Sequence, residues 1–237
     1  MTGNIRNNLH PLILTLSYIY QYFLQRVAIK MFLRQDIALR CVINTIRPTP
    51  ERVISNFFQG MFLAGGRSPS WGPYWSSLPQ RAVITRESAH LSQSLKRYMR
   101  RGTFEIKKNQ NFEEVIRSCK REDHTWINDS IIKTYMELHE MGYAKSWEAY
   151  KDGKLVGGLW GLELGKTFSI MSMFHVVNRA GSNVLGTLVK KLKKGEYDLI
   201  DCGGMNNNFK RYGAVYIPLE EFIEKVESDF YRQNTDK

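Results

Sequence analysis

Metal-ligand spacing is missing from this chain. Its three cysteines, Cys41, Cys119 and Cys202, lie far apart, and none forms a CxxC pair or a Cys/His cluster. That argues against structural zinc and against a disulfide scaffold, and it fits a reducing compartment. The five histidines, His10, His90, His124, His139 and His175, show no HxxxH spacing, which argues against a metal enzyme. Acids are scarce at the start. Residues 1–47 carry Arg6, Arg26, Lys30, Arg34, Arg40 and Arg47 against the single acid Asp36. A long apolar run is lacking too: Pro11 to Leu24 is largely apolar, but Gln25 and Arg26 break it before it can span a bilayer. The segment reads as a helix packed on the domain or held by a partner. An organelle transit peptide and a membrane-surface helix over residues 9–34 are the alternatives.

What the chain does have is positive charge. Over 237 residues it carries a formal net charge of +11, with a pI near 9.6. The expected partner is a polyanion, nucleic acid first and an anionic membrane surface second. The length allows one large domain or two small ones with a substantial core.

In chain order, Thr49-Pro50-Glu51 opens a helix: an N-cap, a first-turn proline and a first-turn acid. It ends at Gly60. Gly65 to Pro79, with Trp71, Tyr74 and Trp75, reads as a loop whose rings stack on bases or cover a core edge. Arg81 to Ile84 is a strand. Ser92 to Arg101 is a short helix with Lys96, Arg97, Arg100 and Arg101 on one face, a phosphate clamp or a solvated charge face. Phe104 to Lys108 is a strand. Asn111 and Asn128 cap the next two helices, and His139, on the apolar side of the second, reads as a satisfied core histidine.

The period then changes from helix to strand. Ser146 to Lys151, Lys154 to Leu164 and Thr167 to Val176 form an antiparallel meander, turned by Asp152-Gly153 and Gly165-Lys166. Gly157 and Gly158 inside the middle strand predict a bulge or a close backbone approach by a ligand. Ala180 to Lys194 is a helix ending in lysines, Tyr197 to Cys202 a strand, Gly203 to Asn208 a polar loop, and Leu219 to Phe230 a helix.

This order predicts an α/β (α+β) chain. Three antiparallel strands, a helix, a strand, a loop and a helix form the sequence of elements of the GNAT-like acyltransferase fold, whose sheet splays to hold an acyl donor. The expected division is an N-terminal, mostly helical or mixed region over 1–80 and the transferase domain over 81–237. The pyrophosphate signature of acetyl-CoA users is absent. Arg179-Ala180-Gly181-Ser182-Asn183-Val184 has the wrong spacing, which disfavours a CoA donor.

From about Pro50 to Ile223 the chain resembles the bacterial leucyl/phenylalanyl-tRNA–protein transferases. The carrying stretches are Arg52-Val53-Ile54 to Gly60-Met61-Phe62, Trp75-Ser76 with Pro79 and Arg81-Ala82-Val83, Leu91-Ser92-Gln93-Ser94, and Thr125-Trp126-Ile127. They continue with Leu138-His139-Glu140-Met141-Gly142, Leu155-Val156-Gly157-Gly158, Ser172-Met173-Phe174, Leu199-Ile200-Asp201-Cys202, and Gly213-Ala214 before Ile217-Pro218. Nine such stretches run in order at nearly the family's spacing.

The resemblance implies a transferase that moves an amino acid from a charged tRNA to the α-amine of a protein N-terminus, or to a peptide or small amine. Aminoacyl-tRNA would be the co-substrate, with no other cofactor and no metal, in the cytoplasm; an organelle is the alternative if residues 1–47 are a transit peptide. By the same resemblance Asp201 is the catalytic residue of a proton relay. Trp75, Trp126, Glu148, Gly157 and Gly158 join Met171, Ser172, Met173, Phe174, Gly203 and Asn206 around the substrate. Lys96, Arg97, Arg100 and Arg101 guide the tRNA. Two departures stand out: the family's pocket glutamate is Met171 here, and its relay glutamine is Gly203. A paralogue that binds tRNA or protein N-termini without turnover is the competing expectation.

Overall fold

The computed structural model describes residues 48–65, 73–120 and 126–235. The expectations for residues 1–47, for the membrane contact over 9–34 and for Trp71 lie outside the described residues. Helix α1 (Pro50–Phe58) starts as its sequence dictates: Thr49 Oγ1 accepts the Arg52 N–H at 3.4 Å, and Pro50 fills a position that needs no donor. Strands β1 (Met61–Gly65) and β2 (Pro73–Ser77) follow and pair antiparallel, with Leu63 opposite Trp75. The stretch expected to be all loop therefore contains a strand. Trp75 is no exposed ring: it is 1% accessible, and it covers the core.

Among the described residues the main sheet has seven strands. They are β3 (Gln80–Thr85), β4 (Glu105–Lys108), β5 (Ala144–Lys151), β6 (Lys154–Leu164), β7 (Thr167–His175), β8 (Leu199–Asp201) and β9 (Val215–Pro218). Their spatial order is β4-β5-β6-β7-β8-β3-β9. Every neighbouring pair is antiparallel except β7 and β8. The expected meander is β5 to β7. Its first turn has positive φ at both Asp152 and Gly153, the geometry that matches strand twist in a two-residue hairpin.

The helices are α2 (Gln93–Arg100), α3 (Phe112–Ser118), α4 (Asp129–Glu140), α5 (Ala180–Lys193), α6 (Asn207–Lys210) and α7 (Leu219–Thr235). Side-chain alternation sends each strand's residues to two cores. On one face Val83, Trp160, Leu162 and Leu199 meet α1, the β1–β2 hairpin, α3, α4 and α7. On the other Ala82, Ile84, Leu159, Phe168 and Ile200 meet α5, with α2 and α6 at its margin. Helix α5 buries Ala180, Val184, Leu185, Leu188, Val189 and Leu192 at helical spacing. Each Leu or Val so buried contributes about 1.5–3 kcal/mol. The expected boundary between residues 80 and 81 falls just inside β3, after its first residue Gln80, and Val53, Phe57, Leu63 and Trp75 share one core with Phe222 and Val226.

Candidate active site

Strands β7 and β8 run together for only three rungs: Thr167 with Leu199, Phe168 with Ile200, and Ser169 with Asp201. Then β8 stops and the chain turns away through Gly203, whose φ of +68° a side chain would oppose. Strand β7 continues to His175, still zipped to β6 on its other side. The Val176 N–H donates to the Val156 carbonyl at 3.0 Å. This sets the alternation of the antiparallel ladder. Ser172 and Phe174 bond across to β6, so the N–H and C=O groups of Met173 and His175 point into the gap that β8 leaves.

A bulge refines this edge. Gly161 faces Ile170 and Trp160 faces Ser172, so Met171 is an extra residue. Met171 and Phe174 pack on the core that holds Trp75 and Trp160. Ile170 and Met173 belong to the core on the opposite face.

At the vertex where the strands part sits Asp201, fully buried. Its Oδ1 accepts the Arg81 Nε–H at 3.2 Å and the Gly203 N–H at 2.8 Å. Its Oδ2 accepts from Arg81 Nη2 and from Ser169 Oγ, the latter at 2.6 Å. Arg81 is 1% accessible. Its guanidinium carbon lies 4.8 Å from the Phe62 ring centroid and 4.6 Å from that of Phe222. The third guanidinium nitrogen, Nη1, has no acceptor among the described residues, and the two ring faces offset part of that deficit. Next door, burial and then the Asp201 charge push the Cys202 thiol well up, with Arg81 opposing, so Cys202 is no ready nucleophile.

The rim is built from three pieces. Asn206 caps α6 by accepting the Phe209 N–H at 2.9 Å. Asn208 Nδ2 reaches Met173 Sδ at 3.7 Å, which carries α6 across to β7. The Tyr212 hydroxyl donates to the Ser182 carbonyl at 3.2 Å, tying the same loop to α5. Arg179, at the start of α5, stacks 4.7 Å over the Tyr98 ring of α2. A side chain on Gly181, two residues on, would meet Met173 and His175. The cationic helix thus joins the rim through Arg179. Lys96, Arg97, Arg100 and Arg101 are all exposed, and none takes part in an ion pair found among the described residues.

Other expected residues sit farther back. Glu148 is fully buried. It accepts the Gln110 N–H at 3.1 Å, the Asn111 N–H at 3.3 Å and the Ser146 hydroxyl at 2.6 Å, so it pins the turn that begins α3. Trp126 packs 5.8 Å from Trp160. The bulge expected near Gly157 falls one residue earlier, at Val156. What approaches Gly157 closely is α5: a Cβ there would lie 2.8 Å from that of Ala180. Gly158 is crowded by Phe174. His139 Nδ1 lies 2.8 Å from the Ala144 carbonyl and its ring stacks on Phe112.

Two members of the vertex escaped sequence reading, Arg81 and Ser169. The available signal was a charge beside the apolar run Ala82-Val83-Ile84 and a small hydroxyl between Phe168 and Ile170. Among the described residues no group of three or more His, Cys, Asp and Glu could hold a metal ion. None of the described helices is long and apolar enough to cross a membrane. A cavity of about 390 Å³ lies at the other end of β8, lined by Thr85, Arg86, Asp198 and Lys225 among others, away from the gap.

Residues 83–227 match the family described as leucyl/phenylalanyl-tRNA protein transferase. A protein of that name from Rubrobacter xylanophilus is 38% identical over 182 residues, covering 76% of this chain and 94% of its own. One from Nitrosospira multiformis is 38% identical over 184 residues, covering 75% of this chain and 78% of its own. One from Gloeobacter violaceus is 36% identical over 179 residues, covering 75% and 92%. Among solved structures, FemX overlays 71% of this chain and 66% of its own with a TM-score of 0.48 at 11% identity, too distant to assign the fold.

Proposed function

The chain belongs to the leucyl/phenylalanyl-tRNA protein transferase family, and on that footing we propose that it takes an amino acid from a charged tRNA and joins it to the α-amine of a protein N-terminus. The single observation that carries this is the match to the Rubrobacter protein over nearly that protein's full length. The amine nitrogen attacks the ester carbonyl carbon, the bond to the ribose oxygen breaks, an amide forms, and the amine's proton ends on the released ribose. An aminoacyl ester is already activated, so the work is chiefly to align the amine and hold the tetrahedral oxyanion. Aminoacyl-tRNA is the co-substrate, and the cytoplasm is where the two substrates meet.

In this reading the sheet is GNAT-like and the acylated 3′ terminus enters the gap between β7 and β8. One of the N–H groups of Met173 and His175, which stand about 7 Å apart along the strand, receives the carbonyl oxygen. The donor side chain lies on the face of Trp75, Trp126, Met171, Ser172 and Phe174. Gly203 and Asn206 line the opposite lip, and Asp201 holds the vertex. Glu148, Gly157 and Gly158 support the wall behind. Lys96, Arg97, Arg100 and Arg101 meet tRNA phosphates, which makes affinity salt-sensitive.

Incubation with a mixed pool of charged tRNAs and a peptide acceptor tests the reading. The expected result is accelerated loss of one class of aminoacyl ester, with a peptide heavier by that residue. Charged tRNAs that bind but lose their esters no faster than in buffer would overturn it.

A further inference from the structure

The aspartate at the vertex has nothing left to accept with. Two donors on each oxygen fill the four lone-pair positions of a carboxylate. The side chain is fully buried. An attacking amine therefore finds no free oxygen there to take its proton.

We infer that Asp201 is a positioning residue, and that Arg81 and Ser169 act through it to set the angle at which β7 and β8 part. This rests on the transfer reading above. The cluster joins three neighbouring strands: Ser169 on β7 and Asp201 on β8 face each other at one level, and Arg81 on β3 reaches that level from two residues before Val83, the β3 partner of Asp201. That level is the last rung of the β7–β8 ladder. Beyond it the two walls of the gap swing from one point. One wall is β7, with the inward-facing groups of Met173 and His175. The other starts at Gly203, whose N–H is held by Asp201 and whose carbonyl accepts the Ala82 N–H at 2.8 Å. A change of a few degrees at the vertex is enlarged at Met173 and Asn208. Reaction rates are steep in such displacements, since misplacing a reacting group by about 1 Å costs up to about a hundredfold.

The proton balance follows. The new bond joins the amine nitrogen to the carbonyl carbon, and the bond to the ribose 3′ oxygen breaks. The proton passes from the amine to that ribose oxygen, directly or through solvent, and does not rest on Asp201. Nor does a side chain two residues on relay it, because that position is Gly203.

The test uses Ser169→Ala in the full chain, which removes one of the four donors and leaves the ion pair. Single-turnover transfer from charged tRNA to a peptide is followed against pH, together with hydrogen exchange. At saturating tRNA the rate per folded molecule is expected to fall about tenfold at every pH. The pH midpoint and the half-saturating tRNA concentration stay where they are. Exchange over residues 170–175 and 203–208 rises, while that of α3 and α4 does not. An unchanged rate overturns the inference. So does a shifted pH midpoint, because freeing a lone pair on Asp201 would then have altered the proton acceptor itself. If the unsubstituted protein transfers nothing, the functional reading falls separately, and unchanged exchange at both segments overturns the clamp on its own.

Discussion

Strand β7 is joined to its two neighbours very differently. Eight pairs zip it to β6 and three tie it to β8. Each half of the sheet also buries one carboxylate completely. In the zipped half Glu148 is held by neutral donors only, the Ser146 hydroxyl two residues away and the Gln110 and Asn111 amides 38 and 37 residues away. In the parted half Asp201 is held by a guanidinium 120 residues away. The lesson is that a closed ladder supplies its own order, whereas an opening must be propped by a charge pair brought from elsewhere.

The sharpest way to break that contrast is to remove one partner on each side. Arg81→Ala strands a charge in the core and is expected to cost about 3–5 kcal/mol in urea unfolding. Glu148→Gln leaves donors facing an amide and is expected to cost about 1–3 kcal/mol. Equal losses would erase the distinction. Replacing the pair with Arg81→Met and Asp201→Leu together is expected to recover most of the stability, within about 1–2 kcal/mol, because an apolar pair escapes the desolvation penalty. Transfer would remain lost, which separates the fold from its opening.

The rim sharpens the comparison from outside. Reversing Arg97 and Arg100 to Glu is expected to weaken tRNA binding at least about tenfold near 0.1 M salt and flatten the salt slope by roughly 1–2. Filter binding across a salt series reads both. Unchanged binding would detach α2 from the gap. The smallest effect belongs to the caps. Asn206→Ala and Asn128→Ala should each cost about 1 kcal/mol. For Asn206, exchange should rise only over 206–210. For Asn128, which caps the core helix α4, the loss should appear in global unfolding.

How much of this was legible depends on how far each contact reaches. Thr49, Asn111 and Asn128 announce their helices because a cap bonds three residues ahead and the apolar period follows at once. Asp152-Gly153 announces its hairpin for the same reason. Asn206 is the same kind of cap, but α6 is four residues long and shows no period, so it reads as loop. Strand β2 is hidden because Pro73, Trp75 and Ser76 suit a turn until β1 supplies a partner. The short edge strand β9 exists only through its pairing with β3. Gly157 signals a close approach in either view, but only the packed structure shows that α5 is what approaches. Arg81 and Ser169 show locally only as a charge and a hydroxyl within strands, because their meaning is an atom on another strand.

The pairing of residue 81 with residue 201 has a cost in time as well as in energy. Closing so long a loop surrenders chain entropy before it returns any contact, and such contacts form slowly. The meander, with its short connections, is free to assemble first. A chain still leaving the ribosome would therefore hold the four paired strands β4 to β7, with β3 waiting and no vertex, until β8 emerged.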